Sequence, residues 1–211
     1  ALGRIFGCLR ENDLFKNTWI IFTADHGEML GDHHMSQKNL FFEGSAHVPL
    51  LIMPPQGRSL PQNISVEAPT DLVDLYPTIL AMAGLSSPVS VSGRNLLEPV
   101  PMDRIFFGNS LNRNFCVMEE KVKLVYSAVG DHVLLLNTDP MEQHNLAEDP
   151  AWQERKAKLW KLLLEHTAQY TPEALDEKGQ FLTYEAPHFP GDVPGRWFGF
   201  HYHDYSVDTF H

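Results

Sequence analysis

Two short, almost continuously apolar runs, Trp19-Ile20-Ile21-Phe22 and Val48-Pro49-Leu50-Leu51-Ile52-Met53, bracket a polar stretch rich in histidine and glycine. Runs of that length and density predict strands over about 18–23 and 48–53, the second covered on both faces as in the interior of a sheet. Pro54-Pro55-Gln56-Gly57 ends the second run. Upstream, Leu2, Ile5, Phe6 and Leu9 recur at helical spacing and predict a helix over 1–11. Its apolar face needs a partner, and the chain starts there without methionine, cap or leader. The expectation is therefore a C-terminal portion of a longer protein. Asp74 is placed to cap a short, mostly buried helix ending near Gly84, with Pro77 tolerated in the first turn.

Beyond that helix the pattern changes from period 3.6 to period 2. Ser86 to Pro101, rich in Ser and Pro, reads as a connector. Arg104–Gly108, Phe115–Glu119, Val122–Ser127 and His132–Leu136 read as short strands of an antiparallel sheet, with Gly130-Asp131 as a turn. Asp149-Pro150-Ala151 then starts a helix to about Tyr170 whose Trp152, Leu159, Leu162 and Leu163 face the sheet. The tail from Thr171 to His211 is aromatic and proline-rich, with little periodicity. These readings divide the chain into residues 1–100, 101–170 and 171–211, a mixed α/β region followed by a small antiparallel sheet-plus-helix unit and an extended tail.

Composition narrows the function classes. With 43% apolar residues the chain can build a core, and 16 basic against 27 acidic residues give a formal charge of −11 that argues against a nucleic-acid binder. No apolar run approaches membrane-spanning length. Two distant cysteines make no disulfide framework, Asn63-Ile64-Ser65 is a glycosylation sequon of a kind common by chance, and the tail histidines 188, 201, 203 and 211 lack zinc-site spacing. An aromatic segment that packs over the domain, or on another subunit of a homo-oligomer, explains the tail better.

The candidate chemistry lies between the first two strands. Asp25 and His26 leave the end of an apolar strand together, where open α/β sheets bind ligands, and are candidate metal ligands. Gly27 permits close backbone approach, and Lys38 brings a cation thirteen residues after Asp25. His33 and His47 read either as cleft residues or as structural histidines, and Glu28 and Asp32 as carboxylates fixing the loop.

Asp25-His26-Gly27-Glu28, Gly31-Asp32-His33, Lys38 and His47-Val48-Pro49-Leu50 together resemble the sulfatase family of the alkaline phosphatase-like superfamily, in spacing most like iduronate-2-sulfatase-type members. The likeness continues through 70–84, Gly93-Arg94-Asn95-Leu96-Leu97 and 136–147, covering about four fifths of the chain. It implies the C-terminal part of an alkaline phosphatase-like mixed sheet with flanking helices, followed by the small antiparallel subdomain. The implied activity is sulfate-ester hydrolysis: a hydrated formylglycine attacks sulfur, the alcohol leaves, and the aldehyde is regenerated as sulfate departs.

In sulfatases that nucleophile arises from Cys-x-Pro-x-Arg or Ser-x-Pro-x-Arg. Neither Cys8, Cys116 nor Ser59-Leu60-Pro61-Gln62-Asn63 fits, and no strand carries the paired aspartates that complete the family's metal site. Formylglycine is therefore expected outside this chain, in a missing N-terminal part acting as its partner, and the chain alone is expected to be inactive. The resemblance makes Asp25 and His26 ligands of a Ca2+ ion. Ligand preference alone would lean to zinc or manganese. It also makes Lys38 the catalytic and sulfate-binding cation, with His33 a further substrate contact, the substrate being a small-molecule or saccharide sulfate ester. Two alternatives stay open: a phosphonate monoester or phosphodiester hydrolase of the same superfamily, and a noncatalytic binding module derived from it. The compartment is left open; the family points to a periplasmic, secreted or lysosomal setting.

Overall fold

The structure, a computed structural model, describes residues 1–35, 38, 40–58, 65–137 and 141–185, together with 197–198 and 206–207. In chain order the regular elements are α1 (Leu2–Glu11), β1 (Ile20–Phe22), α2 (Glu43–Ala46), β2 (Leu51–Met53), α3 (Leu75–Met82), β3 (Ile105–Ser110), β4 (Asn114–Glu119), β5 (Val122–Ser127), β6 (His132–Asn137), α4 (Gln153–Tyr170), β7 (Trp197–Phe198) and β8 (Ser206–Val207). They fall into two packed units, residues 1–25 with 48–102 and residues 26–47 with 103–211. The sequon's Asn63, the Ser59–Asn63 loop and the four tail histidines lie outside the described residues. Among those that are described, no helix is long and apolar enough to cross a membrane.

In the first unit β1 and β2 form an antiparallel ribbon with Ile21 opposite Ile52. The expectation that 48–53 is covered on both faces is not met there: Leu51 is 59% exposed, and Phe22 and Met53 are exposed too. A two-stranded ribbon with only Ile20, Ile21 and Ile52 half-buried cannot hide a run of six apolar positions. Leu2 and Ile5 of α1 are likewise exposed, while Phe6 stacks on Phe15.

α3 also departs from the reading. Its carboxylate at Asp74 turns back to accept from the Asp71 amide at 2.8 Å and reaches across to the Arg94 amide at 2.7 Å, forming a capping box on the 3-10 turn Leu72–Asp74. Within α3 only Thr78 is fully buried, and Tyr76 and Ile79 are about half exposed, so the helix is not mostly buried. Thr78 donates to the Asp74 carbonyl and accepts from the Leu96 amide at 2.9 Å. The stretch read as a connector is thus tied to α3 over 94–96.

The second unit is built on a four-stranded antiparallel meander in the order β3-β4-β5-β6, with Val117 opposite Leu124 and Leu124 opposite Leu135. Period-2 alternation gives the sheet two apolar faces. Phe115, Val117, Leu124, Tyr126 and Leu135 meet Leu159 and Leu163 of α4, with Trp152 and Leu162 packed at the margin. Each such buried Leu contributes roughly 1.5–3 kcal/mol. Asp149 caps the approach to α4, accepting from the Ala151 amide at 2.8 Å. Asn145 extends the far edge, its side-chain oxygen accepting from Leu135 and its amide donating to the Val133 carbonyl.

The opposite face of the sheet is covered by the polar stretch that the sequence singled out. Cys116, Val125 and Leu136 pack against Met29, Met35, Leu40 and Phe42. Residues 26–47 therefore have a core of their own, shared with the meander.

Candidate active-site loop

The loop follows from four apolar anchors spaced along a chain of otherwise polar residues. Met29, Met35 and Phe42 are each 1% exposed and Leu40 is buried with them. Leu30, Gly31 and His33 take positive φ values of 52°, 105° and 53°, closing the chain into a 3-10 turn at Asp32–His34. Gly31 donates to the Met35 carbonyl at 2.8 Å and Met35 to the Asp32 carbonyl at 2.9 Å. The Asp32 backbone, rather than its carboxylate, does the fixing in these bonds.

Gly27 is required by close approach. Its amide donates to the Ser45 carbonyl at 2.7 Å, and a Cβ there would lie 2.1 Å from the Gly44 oxygen. Gly108 of β3 plays the matching part on the sheet, since a Cβ would meet the Phe41 ring at 2.4 Å. The loop is thus pressed onto two glycines.

A buried ionic knot completes the anchoring. The Lys123 ammonium, its side chain 3% exposed, donates to the Phe41 carbonyl at 2.6 Å, to Glu43 Oε1 at 2.8 Å and to Glu142 Oε1 at 2.9 Å. Glu142 also accepts from the Glu43 amide at 2.6 Å. Burial pulls the Lys123 ammonium down, but Glu142 and Glu43 outweigh it and hold it above its ordinary value. Burial raises Glu142 above the usual carboxylate range against the pull of Lys123, as expected when two carboxylates share one ammonium. The sequence reading missed this knot. Its signal was a lone lysine on the loop-facing side of an otherwise apolar strand, in phase with Val125.

Of the residues predicted for the site, the structure brings His26 and Lys38 together. His26 Nδ1 lies 2.7 Å from the Gly27 carbonyl, which can only accept, so the ring proton is on Nδ1 and the lone pair on Nε2. Lys38 Nζ is 2.5 Å from that Nε2. Asp25 is an exposed carboxylate at the end of the turn after β1, where the first unit's leading segment stops. His33 is stacked on Phe42 with ring centroids 4.1 Å apart, and His47 is paired to Glu43 at 2.9 Å. Glu28 is exposed. Cys116 is a buried thiol that burial pushes up to about 12 against the opposing field of Lys123, an inert core residue.

As a metal ligand His26 fits by tautomer and orientation: its backbone-bound Nδ1 leaves Nε2 as the single donor atom. Among the described residues no group of three or more His, Cys, Asp or Glu is placed to hold a metal ion.

The sulfatase family model matches residues 1–85, the segment that contains Asp25, His26 and Lys38. Over that segment the chain is similar to sulfatases. It is 30% identical over 178 residues to the uncharacterized sulfatase YidJ of Escherichia coli K12, covering 78% of this chain and 35% of that protein. It is 42% identical over 108 residues to arylsulfatase K of the dog, Canis lupus familiaris, covering 51% and 19%. Among solved structures, the phosphonate monoester hydrolase of Agrobacterium radiobacter superposes with a TM-score of 0.64 at 31% identity, covering 84% and 41%. The chain spans about a third of the length of YidJ and a fifth of arylsulfatase K. The α/β, alkaline phosphatase-like fold class read from the sequence stands.

Proposed function

We propose that this sulfatase-like chain serves hydrolysis of a sulfate ester, with Lys38 as the cation that meets the sulfuryl oxygens. The observation that carries the reading is the Lys38–His26 contact at 2.5 Å, inside the segment matched to sulfatases. An ammonium is a compact point charge suited to an oxyanion, and Lys38 stands exposed on a loop whose base is clamped. Charge that develops on the transferring group is best offset by fixed cations, so Lys38 supplies stabilisation where it is needed. His26 is held in one tautomer by Gly27. Asp25 and His26 would hold one divalent cation, Ca2+ by family likeness. That ion, when bound, supplies Lewis-acid stabilisation of the reacting oxyanions. The formylglycine nucleophile is assigned to residues outside these 211. The finer likeness to iduronate-2-sulfatase-type enzymes, a saccharide sulfate as substrate, and a role for His33 at the cleft belong to the same proposal.

The deciding experiment uses the full-length protein and p-nitrophenyl sulfate. Lys38→Ala should lower kcat by about a hundredfold or more with unchanged circular dichroism; near-normal turnover would remove Lys38 from the site. A second reading, phosphonate monoester hydrolysis, is favoured by the 31% identity to the Agrobacterium enzyme. A higher kcat/KM on a p-nitrophenyl phosphonate than on the sulfate would select it.

A further inference from the structure

We infer that Lys123 of β5 is a positioning residue of the candidate site, fixing through Glu43 and Ser45 where His26 and Lys38 stand. The inference rests on the reading of Lys38 as the cation that meets the sulfuryl oxygens, and concerns what sets that cation's place.

Lys38 is exposed, and around it the chain is buried at the apolar Met35, Leu40 and Phe42. Apolar burial is non-directional, so these contacts hold the loop down without fixing how it lies along the sheet. Hydrogen bonds are directional, and the Lys123 ammonium donates three of them. They grip the chain at the Phe41 carbonyl, at 2.6 Å, and at Glu43 Oε1, at 2.8 Å, while Glu142, held by the same ammonium, accepts from the Glu43 amide at 2.6 Å. From there the register passes on through the backbone. The Phe42 carbonyl accepts from the Ser45 and Ala46 amides at 2.9 and 2.8 Å, closing the single turn of α2. Ser45, 3% exposed, presents its carbonyl to the Gly27 amide at 2.7 Å. The Gly27 carbonyl orients the His26 ring, and His26 Nε2 meets Lys38 Nζ. All of these residues belong to the second unit. Stability alone does not call for a charged knot, since a buried ion pair can often be replaced by apolar residues of like volume without loss. What the ammonium adds over an apolar side chain is a defined place for residues 41–43. That matters at the site, where a misplacement of about 1 Å can slow a reaction about a hundredfold.

The test is steady-state kinetics of the full-length protein on p-nitrophenyl sulfate, with each variant shown by circular dichroism to be folded at the assay temperature. Lys123→Met should lower kcat by about ten- to a hundredfold with KM little changed. Two further variants separate position from stability. Leu159→Ala opens a cavity on the face of the sheet away from the loop and also lowers stability, yet should leave kcat unchanged. Lys123→Met/Glu142→Gln removes both buried charges, so stability should recover toward the wild type while kcat stays low; it carries the same test where the single variant does not fold. A kcat restored together with stability, or lost equally in Leu159→Ala, would overturn the positioning role. So would an undiminished loss on a Lys38→Ala background, where Lys123→Met should cost no more than about twofold further because it acts through Lys38. Near-normal turnover of Lys38→Ala would overturn the reading of the site and this inference with it, whereas a slow Lys38→Ala beside a fully active Lys123→Met would overturn the positioning role alone.

Discussion

Replacing Lys123 by methionine probes what holds the loop to the sheet. Methionine matches the length of the stem, so the change removes an ammonium and three donated hydrogen bonds, to Phe41, Glu43 and Glu142, at nearly constant volume. Glu142, 2% exposed, would keep its bond from the Glu43 amide yet lose its counter-charge. Leaving one partner of a buried pair uncompensated costs about 3–5 kcal/mol, and three charge-assisted bonds at about 1.5–3 kcal/mol each, less the relief of no longer burying the ammonium, fall in the same range. Urea unfolding followed by near-ultraviolet circular dichroism of the Tyr126, Trp160 and Phe181 cluster reports on this unit. Hydrogen exchange at the Gly27 amide reports on the loop alone, and its protection should fall together with global stability. A loss under about 1 kcal/mol, or unchanged protection at Gly27, would show that the apolar anchors hold the loop without the ionic knot.

Gly27→Ala should cost about 1–3 kcal/mol, since the new methyl must push the Gly44 carbonyl aside; an unchanged urea midpoint would deny the close approach. Asp74→Ala should cost about 1–3 kcal/mol in the first unit by leaving the part-buried Asp71 and Arg94 amides without their acceptor, read by thermal unfolding, where a shift within error would refute the hub. His166, stacked on Phe107 at 3.8 Å, is held below the ordinary histidine value by burial. The unfolded chain therefore binds the proton more readily, and stability should fall as pH drops through the ordinary histidine value of about 6.5 toward the lower folded one. His166→Phe should flatten part of that slope, and an identical pH profile of unfolding would remove His166 as its cause.

The four strands of the meander and the long helix were legible because each obeys a local rule. Val122–Ser127 alternates, Gly130-Asp131 can take the positive φ a turn needs, and Asp149-Pro150 starts a helix. The candidate pair His26 and Lys38 was legible as residue types at a spacing. Their direct contact was not, because it depends on where Gly27 and Ser45 meet. Burial was misread in two places, β2 and α3, for one reason: hydropathy counts apolar side chains, whereas exposure depends on whether another element lies over them.

Sequence by itself determined the elements, the sulfatase likeness and the set of polar residues able to do chemistry, since propensity, turn geometry and side-chain type are properties of short stretches. Tertiary structure alone decided that residues 26–47 lie on the back of the meander, that Lys123 ties them there through Glu43 and Glu142, and that Lys38 rests on His26. Each of those contacts joins groups 12 to 99 residues apart, and only the packed sheet puts them within bonding distance.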